Sequence, residues 1–141
     1  LTLRNLAFSV EPEIVYEDAD IIVINKPSGM LSQKAEAADV SANEYILHTL
    51  IERGELTEEM MRTFRPSVCN RLDRNTSGIL ICGKTYEGLK EMNALIKERR
   101  IGKFYRCIVT GSVNEKITLT GYLAKDEKTN KVYFFSELDY K

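Results

Sequence analysis

Two short apolar runs constrain this chain more than any other feature. IIVINKP (residues 21–27) and GILICG (residues 78–83) are rich in β-branched and aliphatic side chains and are cut off by proline or glycine. They are too short to be helices that bury a face, and they read as buried strands. Each abuts a polar turn: Pro27, Ser28 and Gly29 end the first, and RLDRNTS leads into the second. A strand rigidly presents whatever its adjoining turn carries, so reactive groups are expected in the turn before the second run.

The rest of the chain supplies helices and further strands. Ser41 and Glu44 have capping-box spacing, Ile46, Leu47, Leu50 and Ile51 repeat on one face, and Gly54 stands where a left-handed residue closes a helix. From Thr85 to Arg100, Leu89, Met92, Leu95 and Ile96 recur at helical spacing, with Lys97, Arg99 and Arg100 against the carboxyl end of the helix dipole. Tyr16 to Asp20 reads as a turn. KFYRCIVTG (Lys103 to Gly111) alternates like a strand, and KITLTGYLA and KVYFFSEL, joined by the polar KDEKTN, read as a hairpin. The expectation is an α+β fold: a mostly antiparallel or mixed β-sheet flanked by helices. At 141 residues and 43% hydrophobic content, it is one domain that can bury a core without disulfides or metal.

Several classes drop out. Cys69, Cys82 and Cys107 are odd in number and lack C-x-x-C spacing, so reduced thiols in an intracellular, cytoplasmic protein are expected. His48, the single histidine, sits in an apolar helical stretch and is assigned to packing. No metal site and no membrane span are expected. The formal charge is −1, but its distribution is uneven. Acids crowd Glu11 to Asp20 and Glu52 to Glu59. Arg62, Arg65, Arg71 and Arg74 gather later, followed by Lys97, Arg99, Arg100, Lys103 and Arg106. Should the two basic clusters meet, they form the footprint of a polyanion binder.

Two motifs overlap between Arg71 and Thr85. Gly78 to Thr85 satisfies the phosphate-loop formula, which requires a strand before its first glycine and a loop that wraps phosphate. Here the order is reversed: a polar segment precedes Gly78, and Ile79 to Cys82 are themselves the strand. RLDRNTSG remains, with one carboxylate between two guanidiniums. Read blandly it is a surface turn in which Asp73 pairs with an arginine. Read functionally, a carboxylate held by arginine stays ionised and can serve as nucleophile or general base.

RLDRNTSG resembles the block that houses the catalytic aspartate in the RluA family of RNA pseudouridine synthases, with Asn70 where the family usually has histidine. INKPSGM (Ile24 to Met30) resembles the family's first motif and KFYRCIVTG its K-x-Y block; the likeness runs from about Glu13 to Lys131. The resemblance implies the pseudouridine synthase catalytic fold and an isomerase acting on structured RNA, ribosomal or transfer. It implies Asp73 as the catalytic carboxylate, Tyr105 as the ring that stacks on the target uracil, and Arg71 as the residue that helps open the RNA. Moving uracil from an N- to a C-glycosidic bond requires no redox cofactor or metal, so no cofactor is expected. Lys26 and Pro27 are read as scaffold near the aspartate loop. The resemblance also implies that residues 1–141 are a partial catalytic domain, with later strands and any small RNA-binding domain before Glu11 lying outside it. The rival reading is a non-catalytic RNA-binding module of the same fold.

Overall fold

A computed structural model describes Leu3, residues 6–129 and residues 131–136. The chain divides into two compact units, Leu1–Lys103 and Phe104–Lys141.

The first unit is built on an antiparallel sheet of four strands: β1 (Glu13–Glu17), β2 (Ile21–Lys26), β3 (Ser67–Val68) and β4 (Gly78–Gly83), in the order β1-β2-β4-β3. The two apolar runs of the sequence are its central pair, β2 and β4, in register from Ile21↔Gly83 to Lys26↔Gly78. Alternation along β2 turns Ile22 and Ile24 to one face. There they form a buried cluster with Val68, Leu80, Cys82 and the apolar face of helix α1 (Ala42–Glu52): Ala42, Ile46, Leu47, Leu50 and Ile51. Burial pushes the Cys82 thiol well above its ordinary pKa, so it is inert packing, and His48 is tied by its Nδ1 to the Leu3 carbonyl at 3.0 Å.

Helix α1 starts where its sequence predicts, but its cap differs. The Ser41 hydroxyl donates to the Glu44 carboxylate instead of accepting from the helix backbone. The open amides of the first turn go to strand-like neighbours: Ala42 N–H donates to the Leu31 carbonyl at 2.8 Å and Asn43 N–H to the Ser32 carbonyl at 3.2 Å. With those donors taken, no serine cap is needed.

Three elements carry no strong sequence signal. Strand β1 is an edge strand with an irregularity between Ile14 and Tyr16, which breaks its alternation, and the turn expected from Tyr16 begins only after Glu17. Strand β3 and helix α2 (Glu58–Thr63) are too short for periodicity.

Helix α3 (Tyr86–Lys97) is capped by Thr85, whose hydroxyl accepts from Gly88 N–H at 3.1 Å. Its far end closes without glycine: Arg99 takes a left-handed φ of 56°, Arg100 N–H reaches Leu95 at 2.9 Å, and Arg99 N–H reaches Ile96 at 3.2 Å. The segment matching the phosphate-loop formula is therefore strand, cap and helix. Lys84 is committed to the carboxylates of Glu17 at 2.6 Å and Glu55 at 3.0 Å.

The second unit holds a hairpin, β5 (Tyr122–Asp126) and β6 (Lys131–Phe135), in register from Tyr122↔Phe135 to Asp126↔Lys131. The Asp126 carboxylate accepts from Lys128 N–H at 2.9 Å and the Thr129 hydroxyl at 2.7 Å, which fixes the expected polar turn. Asn130 of that turn, and Glu137 and Leu138 of the second run, lie outside the described residues. KFYRCIVTG differs from its expectation: it is not a strand, and Phe104 is 94% exposed. Alternation makes a segment fit for a sheet, but a ladder needs a neighbour to exchange hydrogen bonds with, and no described strand lies beside it.

The N-terminus of α3 lies so close to the β1–β2 turn that a Cβ at Gly88 would stand 2.3 Å from the Asp20 carbonyl oxygen. Alanine adds about 1 kcal/mol of helix propensity, yet overpacking against a backbone carbonyl costs about 1–3 kcal/mol. Gly88→Ala is therefore expected to destabilise the protein by about 1–2 kcal/mol in chemical denaturation; a stabilised variant would show that the turn moves freely.

Candidate active site

The same alternation that buries Ile22 and Ile24 sends Lys26, last residue of β2, toward the core. Its side chain is wholly buried. An ammonium placed there must find acceptors. Its Nζ donates to the carbonyls of Met30 at 2.7 Å, Pro27 at 3.1 Å and Arg74 at 3.2 Å, three acceptors for three protons. Two of them curl the chain's own turn over the cation. The third lies 48 residues away, in RLDRNTSG. Burial pulls the pKa of Lys26 below the ordinary lysine value, and the negative charge of Asp73 acts in the opposite direction.

Other bonds fasten the same two segments. Gly29 N–H donates to the Arg74 carbonyl at 2.8 Å and the Ser28 hydroxyl to the Asn75 carbonyl at 2.9 Å. Gly29 does so at a φ of 89°, which favours glycine. The Ser32 hydroxyl serves Leu72 twice, donating to its carbonyl at 2.7 Å and accepting from its N–H at 2.9 Å. Leu72 packs against the buried cluster, and its neighbours Arg71 and Asp73 are exposed. Thr76 N–H closes the turn on the Asp73 carbonyl at 3.0 Å. Upstream, the Asn70 side chain lies along β4 like a strand partner, donating to the Ile79 carbonyl at 3.0 Å and accepting from Ile81 N–H at 2.9 Å.

The arginine clasp expected around Asp73 is absent. Among the described residues its carboxylate accepts no hydrogen bond and forms no ion pair, and neither Arg71 nor Arg74 engages it. Sequence neighbours in an extended stretch point to alternate sides, and residues two apart stand roughly 7 Å apart, so adjacency does not make a bridge. The cation whose charge couples to Asp73 comes from the buried side, at Lys26. The first unit thus brings Asp73, Arg71 and Lys26 to one loop and strand end. Tyr105 belongs to the second unit, outside its strands and 66% exposed. No group of three metal-ligating side chains occurs among the described residues, and no described helix is long and apolar enough to cross a membrane.

A family model described as RNA pseudouridylate synthase matches residues 20–141. The chain belongs to that family. Its relatives point to the RluA type of RNA pseudouridylate synthase. Ribosomal large subunit pseudouridine synthase D of Borreliella burgdorferi is 32% identical over 127 residues, covering 88% of this chain and 38% of its own length. An uncharacterized RNA pseudouridine synthase of Mycoplasma genitalium is 33% identical over 122 residues, covering 85% of this chain and 37% of its own. The chain thus spans less than two fifths of these curated relatives. Among solved structures, human RNA pseudouridylate synthase domain containing 4 aligns with a TM-score of 0.48 at 18% identity, covering 62% of this chain and 30% of its own.

In this member of the pseudouridylate synthase family, Lys26 is the pin. Lys26→Met nearly keeps the side-chain length but leaves the Pro27 and Met30 carbonyls without their donor, while the Arg74 carbonyl keeps that of Gly29; each acceptor left buried and unsatisfied costs about 1–3 kcal/mol. The expected result is a stability loss of about 3 kcal/mol and faster hydrogen exchange at the Gly29 amide. An equally stable variant with unchanged exchange would show that Ser28, Gly29 and Ser32 hold the loop without the ammonium.

Proposed function

We propose that the full-length protein is an RNA pseudouridine synthase that isomerises specific uridines of ribosomal RNA, and that the two units here are parts of its catalytic domain. The observation that carries this reading is the state of Asp73. Its backbone loop is fastened to a buried ammonium and two serines, while its carboxylate is exposed and, among the described residues, uncommitted. A reactive group is best placed in this way, held rigidly by its main chain and left free at its reacting atoms. Ribosomal RNA is favoured over transfer RNA by the names of the relatives.

The reaction breaks the bond from C1′ to N1, turns uracil within the site and joins C5 to C1′; C5 then loses its proton to solvent while N1 takes one up. A carboxylate can attack the substrate as nucleophile and leave again when C5 joins C1′, or remove a sugar proton as base and return it afterwards. The target uridine must leave the RNA stack to reach Asp73. Arg71, exposed two residues before it, is assigned to opening the RNA, and Tyr105 to stacking on the extruded base.

Asparagine is neutral and nearly isosteric with aspartate. Asp73→Asn in the full-length protein is expected to reduce tritium release from C5-labelled uridine in RNA below a hundredth of wild type. Binding should stay within about tenfold, roughly 1.4 kcal/mol. Higher residual turnover would remove Asp73 from its role. Pseudouridine mapping in cells lacking the gene is expected to lose a site in large-subunit ribosomal RNA; loss in transfer RNA instead would reassign the substrate.

Tyr105→Phe keeps the stacking face, whereas Tyr105→Ala is expected to lose about 1–3 kcal/mol of stacking. Equal, small effects of both changes on RNA affinity would return Tyr105 to a structural role.

A further inference from the structure

The loop that carries Asp73 leaves the sheet through a junction in which a side chain replaces backbone. Strand β3 ends at Val68, paired with Cys82, and Cys69 N–H adds one more bond of the ladder, to the Ile81 carbonyl at 2.7 Å. At the next residue the main chain gives way. Asn70 Nδ2 donates to the Ile79 carbonyl at 3.0 Å, and its Oδ1 accepts from Ile81 N–H at 2.9 Å. A carboxamide offers N–H and a carbonyl oxygen together, the pair of groups that backbone brings to a ladder. Both main-chain groups of Ile81 are therefore bound at this junction, one by the backbone of Cys69 and one by the side chain of Asn70.

This exchange decides the path of the chain. Had backbone filled the rung, residues 70 and 71 would continue β3 alongside β4. With the amide filling it, the main chain turns off the sheet, and Arg71 goes with it, exposed and without a side-chain hydrogen bond or ion pair among the described residues. On the far side of Arg71, the Ser32 hydroxyl holds both the N–H and the carbonyl of Leu72. Arg71 thus stands between two residues that are each bonded twice, and Asp73 follows the second. Lys26 and Gly29 bind the loop beyond Asp73, at the Arg74 carbonyl. Asn70 is the anchor at the opposite end, where the loop departs from β4.

We propose that Asn70 is a positioning residue for the reaction: its amide stands in for a third residue of β3 and so sets where Arg71 and Asp73 are presented to the substrate. This rests on the reading of the chain as an RNA pseudouridine synthase and deepens it, by adding a residue that acts through its neighbours.

A split between rate and binding separates positioning from mere structural support. Turnover at saturating RNA, RNA affinity, melting and hydrogen exchange are measured on the full-length wild type, Asn70→Leu and Asn70→Asp. Leucine is close to asparagine in size and offers neither polar group; aspartate keeps the acceptor for Ile81 N–H and loses the donor to Ile79. Asn70→Leu is expected to exchange faster at the Ile81 amide and to release tritium from C5-labelled uridine about tenfold more slowly, because small displacements of reacting groups carry large rate penalties. Its RNA affinity should stay within about threefold of wild type. Asn70→Asp should keep the Ile81 amide protected and still turn over more slowly than wild type. A wild-type rate in Asn70→Leu overturns the inference, and so does a rate loss matched by an equal loss of folded protein or of RNA affinity. Should Asn70→Leu not fold, Asn70→Asp decides alone: slower turnover at unchanged affinity and folded fraction supports the inference, and wild-type turnover overturns it. No turnover by the wild type would instead overturn the functional reading beneath.

Discussion

The architecture of the site depends on one buried ammonium. Lys26 carries a charge into the face that Ile22 and Ile24 fill with aliphatic groups, which is costly unless every proton finds an acceptor. It finds three, and they belong to two segments far apart in the chain. Satisfying the charge therefore requires the loop after β2 and the loop before β4 to close over it together. The cost of burial becomes a geometric constraint: if either loop departs, a charge stays buried without its partners. In this way a lysine that never reaches the surface determines where the exposed Asp73 stands.

Core and site share their supports. The Leu31 and Ser32 carbonyls take the first amides of α1, while the hydroxyl of the same Ser32 holds Leu72 on both sides. Packing of α1 on the sheet and placement of the aspartate loop are thus one set of contacts. The end of β2 and β4 that carries Lys26 and the Asp73 loop is also separated from their other end. There Lys84 gathers Glu17 and Glu55, and Asp20 receives the start of α3 through the Thr85 hydroxyl at 2.6 Å. Part of the acidic excess of the early chain is spent on that structural end, and among the described residues neither Arg71 nor Arg74 forms an ion pair with a carboxylate.

Helix α3 and the hairpin show how local chemistry sets local structure. Thr85 starts α3 by accepting from Gly88, and Asp126 bends the hairpin by accepting from the residues that follow it. Both act within three residues, and both are legible in order along the chain. KFYRCIVTG shows where such reading stops. Its alternation is genuine, but a strand is a relation between two segments, and the pattern of one does not supply the other.

The sequence by itself determined the central strands, the two long helices, the hairpin turn and the motif that contains Asp73, because each rests on periodicity or on contacts a few residues apart. It also contained the clue to Lys26, which shares the parity of Ile22 and Ile24 along β2. Only the tertiary structure decided that this lysine is the pin, that Ser32 clasps Leu72, that Asn70 lies along β4 as a strand partner, and that no described arginine clasps Asp73. The first two depend on the register of β2 against β4, which brings residues forty or more positions apart within hydrogen-bond reach. Register is a property of the pair of strands: a slip of one residue would turn Lys26 to the opposite face and release the loop it holds.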